Sequence, residues 1–155
     1  MTPPFLSAEG LDVAYGDFQV LWSAGIRVQE GEVVCLLGPN GAGKSTLMNT
    51  LSGLLKPRGG RVEFRGKRID GLPPHQIVGE GLGHVLERRR LFPYLTVRQN
   101  LLLGAHHPEA RRQRAESLRW VEGIFPFLIE RQKQLAHTLS GGQQQMVAIA
   151  RGLMA

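Results

Sequence analysis

The stretch that most limits what this chain can become runs from Glu32 to Leu55. It opens with Glu32-Val33-Val34-Cys35-Leu36-Leu37, a β-branched-rich apolar run of the kind buried on both faces of a parallel sheet. Gly38-Pro39-Asn40-Gly41-Ala42-Gly43-Lys44-Ser45 follows and fits the spacing G-x-x-x-x-G-K-[ST]. From Lys44 onward, Leu47, Met48, Leu51, Leu54 and Leu55 recur at helical spacing until Lys56-Pro57-Arg58-Gly59-Gly60 closes the helix. Strand, glycine loop and helix in that order is the context this motif needs. The glycines let successive backbone N–H groups curl inward into an anion nest, and the helix start adds its positive end. Lys44 then reaches the β and γ phosphates of a nucleotide, and the Ser45 hydroxyl is placed to ligate Mg²⁺.

The rest of the first half reads as strands and turns. Residues 5 to 30 alternate loosely between apolar and polar around Gly10, Gly16, Gly25 and Gly31. Arg61 to Ile69 alternates again through Val62 and Phe64, which predicts a strand or hairpin, and Gly81 to Leu86 is a candidate second short buried strand. The grammar then turns helical. Thr96-Val97-Arg98-Gln99 has the spacing of a capping box and leads into Leu101-Leu102-Leu103. Beyond Pro108, the stripe Leu118, Val121, Phe125 marks a helix that Pro126 ends. Ser140-Gly141-Gly142-Gln143 repeats the capping-box spacing ahead of Met146, Ile149, Ala150 and Leu153. A helix start that carries two glycines after its cap presents bare N–H groups and suits an anion, although taken alone it also fits an ordinary capped helix. Paired with the upstream loop, it is the expected second half of a clamp.

Composition narrows the class without choosing a function. The chain has 155 residues with 42% apolar content, enough for one ordinary core and too apolar for disorder. No run approaches the roughly 18 uncharged residues of a membrane span, and Met1-Thr2-Pro3-Pro4-Phe5-Leu6 lacks the form of a signal peptide, so a cytosolic protein is expected. The single cysteine, Cys35, sits in the apolar run and is expected to be buried and inert. Nineteen Lys and Arg against thirteen Asp and Glu give +6, compatible with nucleic acid, an anionic membrane face or a polyphosphate. Arg88-Arg89-Arg90 lacks the interleaved stacking aromatics of a nucleic-acid surface and reads from composition as a solvated face. His84, His106, His107 and His137 have no metal-ligand spacing.

Leu139-Ser140-Gly141-Gly142-Gln143, together with the phosphate loop, makes the sequence resemble the ATP-binding subunits of ABC transporters over nearly its whole length. The resemblance implies an α/β fold: a P-loop NTPase of ABC type with an N-terminal antiparallel β subdomain, a helical subdomain carrying the signature motif, and an incomplete sheet. It implies one partial domain over 1–155, divided into a β subdomain and phosphate-loop core over 1–87 and a helical subdomain over 88–155. Tyr15 matches the family's adenine-stacking aromatic, and a strand aromatic packed on the core is its alternative reading. Glu87 falls where the family usually has a glutamine that contacts Mg²⁺ and the attacking water and senses the membrane partner. Glu87 with Arg89-Arg90-Leu91-Phe92-Pro93 and Leu95-Thr96-Val97-Arg98-Gln99-Asn100-Leu101 is similar to one of the two ATPase subunits of branched-chain amino acid importers. Leu86 and Arg88 stand where that subunit is expected to have proline and glycine.

The implied function is an ATP-binding and ATP-hydrolysing subunit that energises such an importer, or a related urea or amide importer. ATP and Mg²⁺ would lie between Gly38 to Thr46 of one subunit and, in trans, Ser140, Gly141, Gly142 and Gln143 of a second, in a homo- or heterodimer. Permease subunits and, indirectly, a periplasmic or extracellular amino-acid receptor are the implied partners, nucleic acid is not, and the site is the cytoplasmic face of the membrane. By the same resemblance an Asp-Glu strand and a γ-phosphate-contacting histidine are expected beyond residue 155. The chain is therefore expected to be C-terminally truncated, with open apolar strand faces and marginal stability. The alternative it leaves is a nucleotide-binding module without turnover.

Overall fold

A computed structural model of the chain describes residues 3–87 and 90–155. Arg88 and Arg89, two of the three arginines in the basic cluster, lie outside the described residues. Two compact units divide at Leu82 and Gly83.

The first unit is built on a four-stranded antiparallel sheet in the order β2-β1-β3-β4. Strand β1 spans Leu6–Tyr15 and β2 spans Phe18–Val28, joined by the two-residue turn Gly16-Asp17. Strand β3 (Gly59–Phe64) pairs with the other edge of β1 and turns back into the short β4 (Lys67–Arg68). Helix α1 (Lys44–Leu51) and helix α2 (Pro74–Gly79) complete the unit. Alternation places Leu11 and Val13 of β1, Leu21 of β2, and Val62 and Phe64 of β3 in one core with Leu47, Leu51, Ile69 and Ile77. Each such side chain, fully buried, contributes roughly 1.5–3 kcal/mol. Phe5 closes the rim of this core edge-on against Phe64, with ring centroids 5.0 Å apart.

The second unit is helical. It contains α3 (Val97–Gly104), α4 (Pro108–Ile124), α5 (Phe127–Arg131), a 3₁₀ turn over Ala136–Thr138 and α6 (Gly141–Leu153). Val97, Leu101, Leu118, Val121, Leu128, Val147 and Met154 form its core. Helices α3 and α6 approach so closely at Gly104 that a β-carbon there would lie 2.1 Å from the Arg151 carbonyl oxygen. Both anticipated capping boxes are present, Thr96 with Gln99 and Ser140 with Gln143.

Four expectations are corrected. Glu32 to Leu37 forms no strand, and Val33 and Leu37 are 95% and 84% exposed. Gly81 to Leu86 is likewise irregular. A parallel strand is stable only between neighbours that complete its ladder and cover its faces, and among the described residues no strand lies beside either segment. Cys35, expected to be buried, is exposed for the same reason. Helix α1 also ends at Leu51, four residues short of its anticipated end, where Ser52 takes non-helical angles and its N–H still reaches Met48 O.

Candidate nucleotide site

The phosphate loop gets its shape from glycine and from the hairpin behind it. Gly41 and Gly43 hold φ values of 85° and 87°, left-handed angles that cost an ordinary L-residue about 1–2 kcal/mol. Gly43 is also the N-cap of α1, and a β-carbon on it would sit 2.6 Å from Leu21 Cδ2. Hairpin β1–β2 thus fixes where the loop ends and the helix begins. A bulge between the pairs Val13–Leu21 and Ala14–Gln19 brings Val20 beside Leu21, with Val20 Cγ1 3.7 Å from the same point. No signal in the glycine motif pointed to Val20 or Leu21, since the motif specifies the loop and not its backing.

Helix α1 starts without a side-chain cap, and no acidic residue occupies its first turn. The N–H groups of that turn have no intrahelical acceptor, so they are donors available to an anion, reinforced by the helix dipole. Lys44 folds over the loop and donates from Nζ to Gly38 O at 2.8 Å and Pro39 O at 2.7 Å. Ala42 N–H closes a turn on Pro39 O at 3.3 Å. The Ser45 side chain is exposed and makes no hydrogen bond among the described residues, whereas Thr46 is buried beneath the loop and its carbonyl accepts from Thr50 Oγ1. An ammonium, uncapped amides and a free hydroxyl around left-handed glycines fit a polyphosphate. No cluster of three or more His, Cys, Asp or Glu exists among the described residues. The exposed Ser45 hydroxyl is a protein oxygen of the kind that would suit Mg²⁺.

Tyr15 ends β1 and is half exposed, directly across from Phe18. It therefore lies on the same hairpin that backs Gly43. Arg58 pins the tip by donating from its guanidinium to Gly16 O, while Arg58 N–H bonds Asp12 O at 2.7 Å.

In the second unit, Gly141 and Gly142 are exposed at the start of α6. Ser140 Oγ accepts from Gln143 N–H at 3.4 Å, and Gln143 Oε1 accepts from Ser140 N–H at 3.0 Å. Gln144 Nε2 donates to Ala136 O and Leu139 O, both at 3.2 Å, which fixes the approach to the helix. That approach runs antiparallel to the chain before α3: Val97 N–H bonds Gln134 O, Ala136 N–H bonds Leu95 O and His137 N–H bonds Pro93 O. Asn100 anchors the ribbon from within. It is fully buried, accepts from Phe92 N–H at 2.9 Å and donates to the carbonyls of Phe92, Leu95 and Thr96. Glu87 is exposed in a turn of this unit.

A model of the ABC transporter family matches residues 22–155. The chain belongs to that family. It is 40% identical over 149 residues to the high-affinity branched-chain amino acid transport ATP-binding protein BraG of Pseudomonas aeruginosa, covering 96% of this chain and 64% of BraG. Against LivG of Escherichia coli K12, of the same description, identity is 34% over 168 residues, with 97% and 65% covered. The chain thus spans about two thirds of the length of these relatives. Among solved structures, the ADP conformation of an ATP-binding cassette of an ABC transporter superposes with a TM-score of 0.81 at 30% identity, covering 99% of this chain and 65% of the other. A dimeric bacterial ABC transporter cassette gives 0.73 at 32% identity, with 96% and 69% covered. The expected fold class stands: a cassette with an antiparallel β unit, a helical unit and an open sheet. As a family member, the chain belongs among nucleotide-binding proteins.

Proposed function

We propose that this chain is the ATP-binding part of a subunit that energises an ABC importer of the branched-chain amino acid type. The observation that carries the reading is the phosphate loop: left-handed Gly41 and Gly43, an uncapped α1 and Lys44 closing over the loop carbonyls. Gly38, Pro39, Asn40, Gly41, Ala42, Gly43, Lys44, Ser45 and Thr46 hold the triphosphate, Tyr15 stacks on adenine, and Ser45 meets Mg²⁺, with Glu87 as a further contact. Bound Mg²⁺ neutralises charge on the β and γ phosphates. Lys44 would exchange its bonds to Gly38 O and Pro39 O for phosphate oxygens, and the open α1 amides would donate to the same group.

Ser140, Gly141, Gly142 and Gln143 supply the opposing amides to the nucleotide of a second subunit. Closure around two nucleotides and reopening after hydrolysis give membrane-spanning subunits two states to follow. A groove of about 460 Å³ in the helical unit, lined by Leu95, Leu102, Leu103, Arg111 and Arg114 among others, supports docking of a permease at the cytoplasmic face. No helix among the described residues is long and apolar enough to cross a membrane, as a peripheral subunit requires. The likeness to BraG and LivG supports amino acid cargo, delivered by a separate receptor.

Phosphate release at saturating MgATP, measured with the chain alone and with permease subunits, tests the reading. Turnover that disappears in Lys44→Ala is expected of the ATPase. ATP binding without turnover in either setting assigns instead a nucleotide-binding module.

A further inference from the structure

Two exposed aromatic rings, not one, stand at the tip of hairpin β1–β2. Tyr15 is 50% exposed and Phe18 is 75% exposed. They are direct cross-strand partners across the turn Gly16-Asp17, and directly opposed residues in an antiparallel pair carry their side chains on one face with β-carbons about 4.5–5.5 Å apart. The identity of that face follows from β1, where side chains two apart share a side. Leu11 and Val13 are fully buried in the core beneath α1, and Tyr15 is next in that series. Leu21, the cross-strand partner of Val13, and the bulged Val20 lie against Gly43. The face that carries the phosphate loop thus continues past it, uncovered, into Tyr15 and Phe18.

We infer that Phe18 shares the nucleotide base with Tyr15, so that the base lies on a two-ring platform rather than on a single tyrosine. This rests on the reading of Gly38 to Thr46 as a nucleotide site, and the occupant follows from continuity with that loop. For a purine nucleotide anchored through its phosphates at Gly43, the uncovered continuation of that face is where the base would lie, and its bicyclic surface is wider than one phenyl ring. Exposed aromatics are costly to leave bare, whereas a base stacked on them removes apolar area from water and adds π contact. The tip is prepared for this. Arg58 holds Gly16 O, and Asp12 accepts from Gln19 Nε2 at 3.2 Å and Ser23 N–H at 3.0 Å, so the turn is fixed before a ligand arrives. Trp22 is equally exposed at 73% but adjoins Leu21 in the strand and so faces the other side.

The test compares equilibrium binding of MgATP with that of magnesium tripolyphosphate, which has no base, to the full chain. Phe18→Ala is expected to weaken MgATP about tenfold, within the span of base–aromatic stacking, and to leave tripolyphosphate unchanged. Phe18→Tyr should restore the loss, Phe18→Leu should not, and Trp22→Ala should match the parent. With Tyr15→Ala, the double variant should show non-additive losses, as expected of two side chains on one ligand. The inference is overturned if Phe18→Ala leaves MgATP unchanged while Tyr15→Ala weakens it. It is equally overturned if tripolyphosphate falls in step with MgATP, because the effect is then on loop structure. A Lys44→Ala variant that binds tripolyphosphate as the parent does would remove the underlying phosphate-loop reading, and the platform with it.

Discussion

Two glycine-rich helix starts in this molecule deal with the open amides of a helix N-terminus by opposite constructions. Helix α1 begins at Gly43, which has no side chain to cap it, and its amides stay unengaged with Lys44 alongside. Helix α6 begins at Ser140, which caps the helix and is capped in return by Gln143. The first start leaves its donors open to solvent or to a ligand. The second satisfies part of its own need and leaves the amides of Gly141 and Gly142 without an intrahelical acceptor. An open start and a partly closed one are thus built from similar sequence, and the difference lies in whether the cap position carries an oxygen.

The largest effect should separate the two starts by their supports. Asn100→Leu removes one acceptor and one amide donor group from a site with no exposed surface and strands several backbone partners, at about 1–3 kcal/mol for each buried group left unsatisfied. Hydrogen exchange should show protection lost over 92–98 and 132–137 and at the start of α6, while α1 keeps its protection. Equal loss at α1 would mean that the two starts are not independently supported.

Next in size is the charge at the first start. Lys44→Ala removes an ammonium whose charged hydrogen bonds are worth about 1.5–3 kcal/mol each, and MgATP affinity measured by calorimetry should fall about ten- to a hundredfold. A smaller and directly comparative pair follows. Gly43→Ala forces a side chain into a left-handed position against Leu21 Cδ2 and should lower the melting free energy by about 1–3 kcal/mol. Gly142→Ala meets nothing within 4 Å and should be neutral or raise stability by up to about 1 kcal/mol, the helix preference of alanine over glycine. If the two alanines behave alike in chemical denaturation, the contrast between the starts is wrong. Ser140→Ala tests the cap itself and should cost about 1 kcal/mol in the same measurement.

Much of this was legible in sequence because it depends on local chemistry. The loop Gly38 to Ser45, the capping boxes at Thr96 and Ser140, and the helix ending before Pro126 are each specified by neighbours a few residues apart. Glu32 to Leu37 is the instructive failure. Its composition reads as a buried strand, but a strand is a relation between segments, and with no flanking strand among the described residues the same segment is irregular and exposed. The structural roles of Leu21, Val20, Arg58 and Asn100 are not legible for a related reason: each acts through a partner distant in sequence or, for Asn100, through geometry that no spacing rule encodes. The Tyr15–Phe18 pairing is intermediate, since a two-residue turn at Gly16-Asp17 sets the register once both flanking segments are known to be strands.

The smallest expected effect concerns pH, and it again divides the units. Burial lowers the pKa of His84, in the helical unit, below its ordinary value near 6.5. A depressed histidine favours the neutral form in the folded state, so its contribution is present above pH 6.5 and is lost as pH falls through the folded pKa. Asp70, in the sheet unit, behaves differently. Burial raises its carboxyl, but the Arg68 guanidinium and Val62 N–H together outweigh this and hold it below 3.8. Its contribution is intact above pH 3.8 and is lost only in stronger acid. Acidification from pH 7.5 to 5 should therefore loosen the helical unit first, by less than about 1 kcal/mol because His84 is partly solvated. Residue-resolved exchange across that range should show α3 and α6 responding while β1 to β3 do not. The pH dependence should vanish in His84→Gln, and a sheet that loosens in step with the helices would show that the two units do not titrate apart.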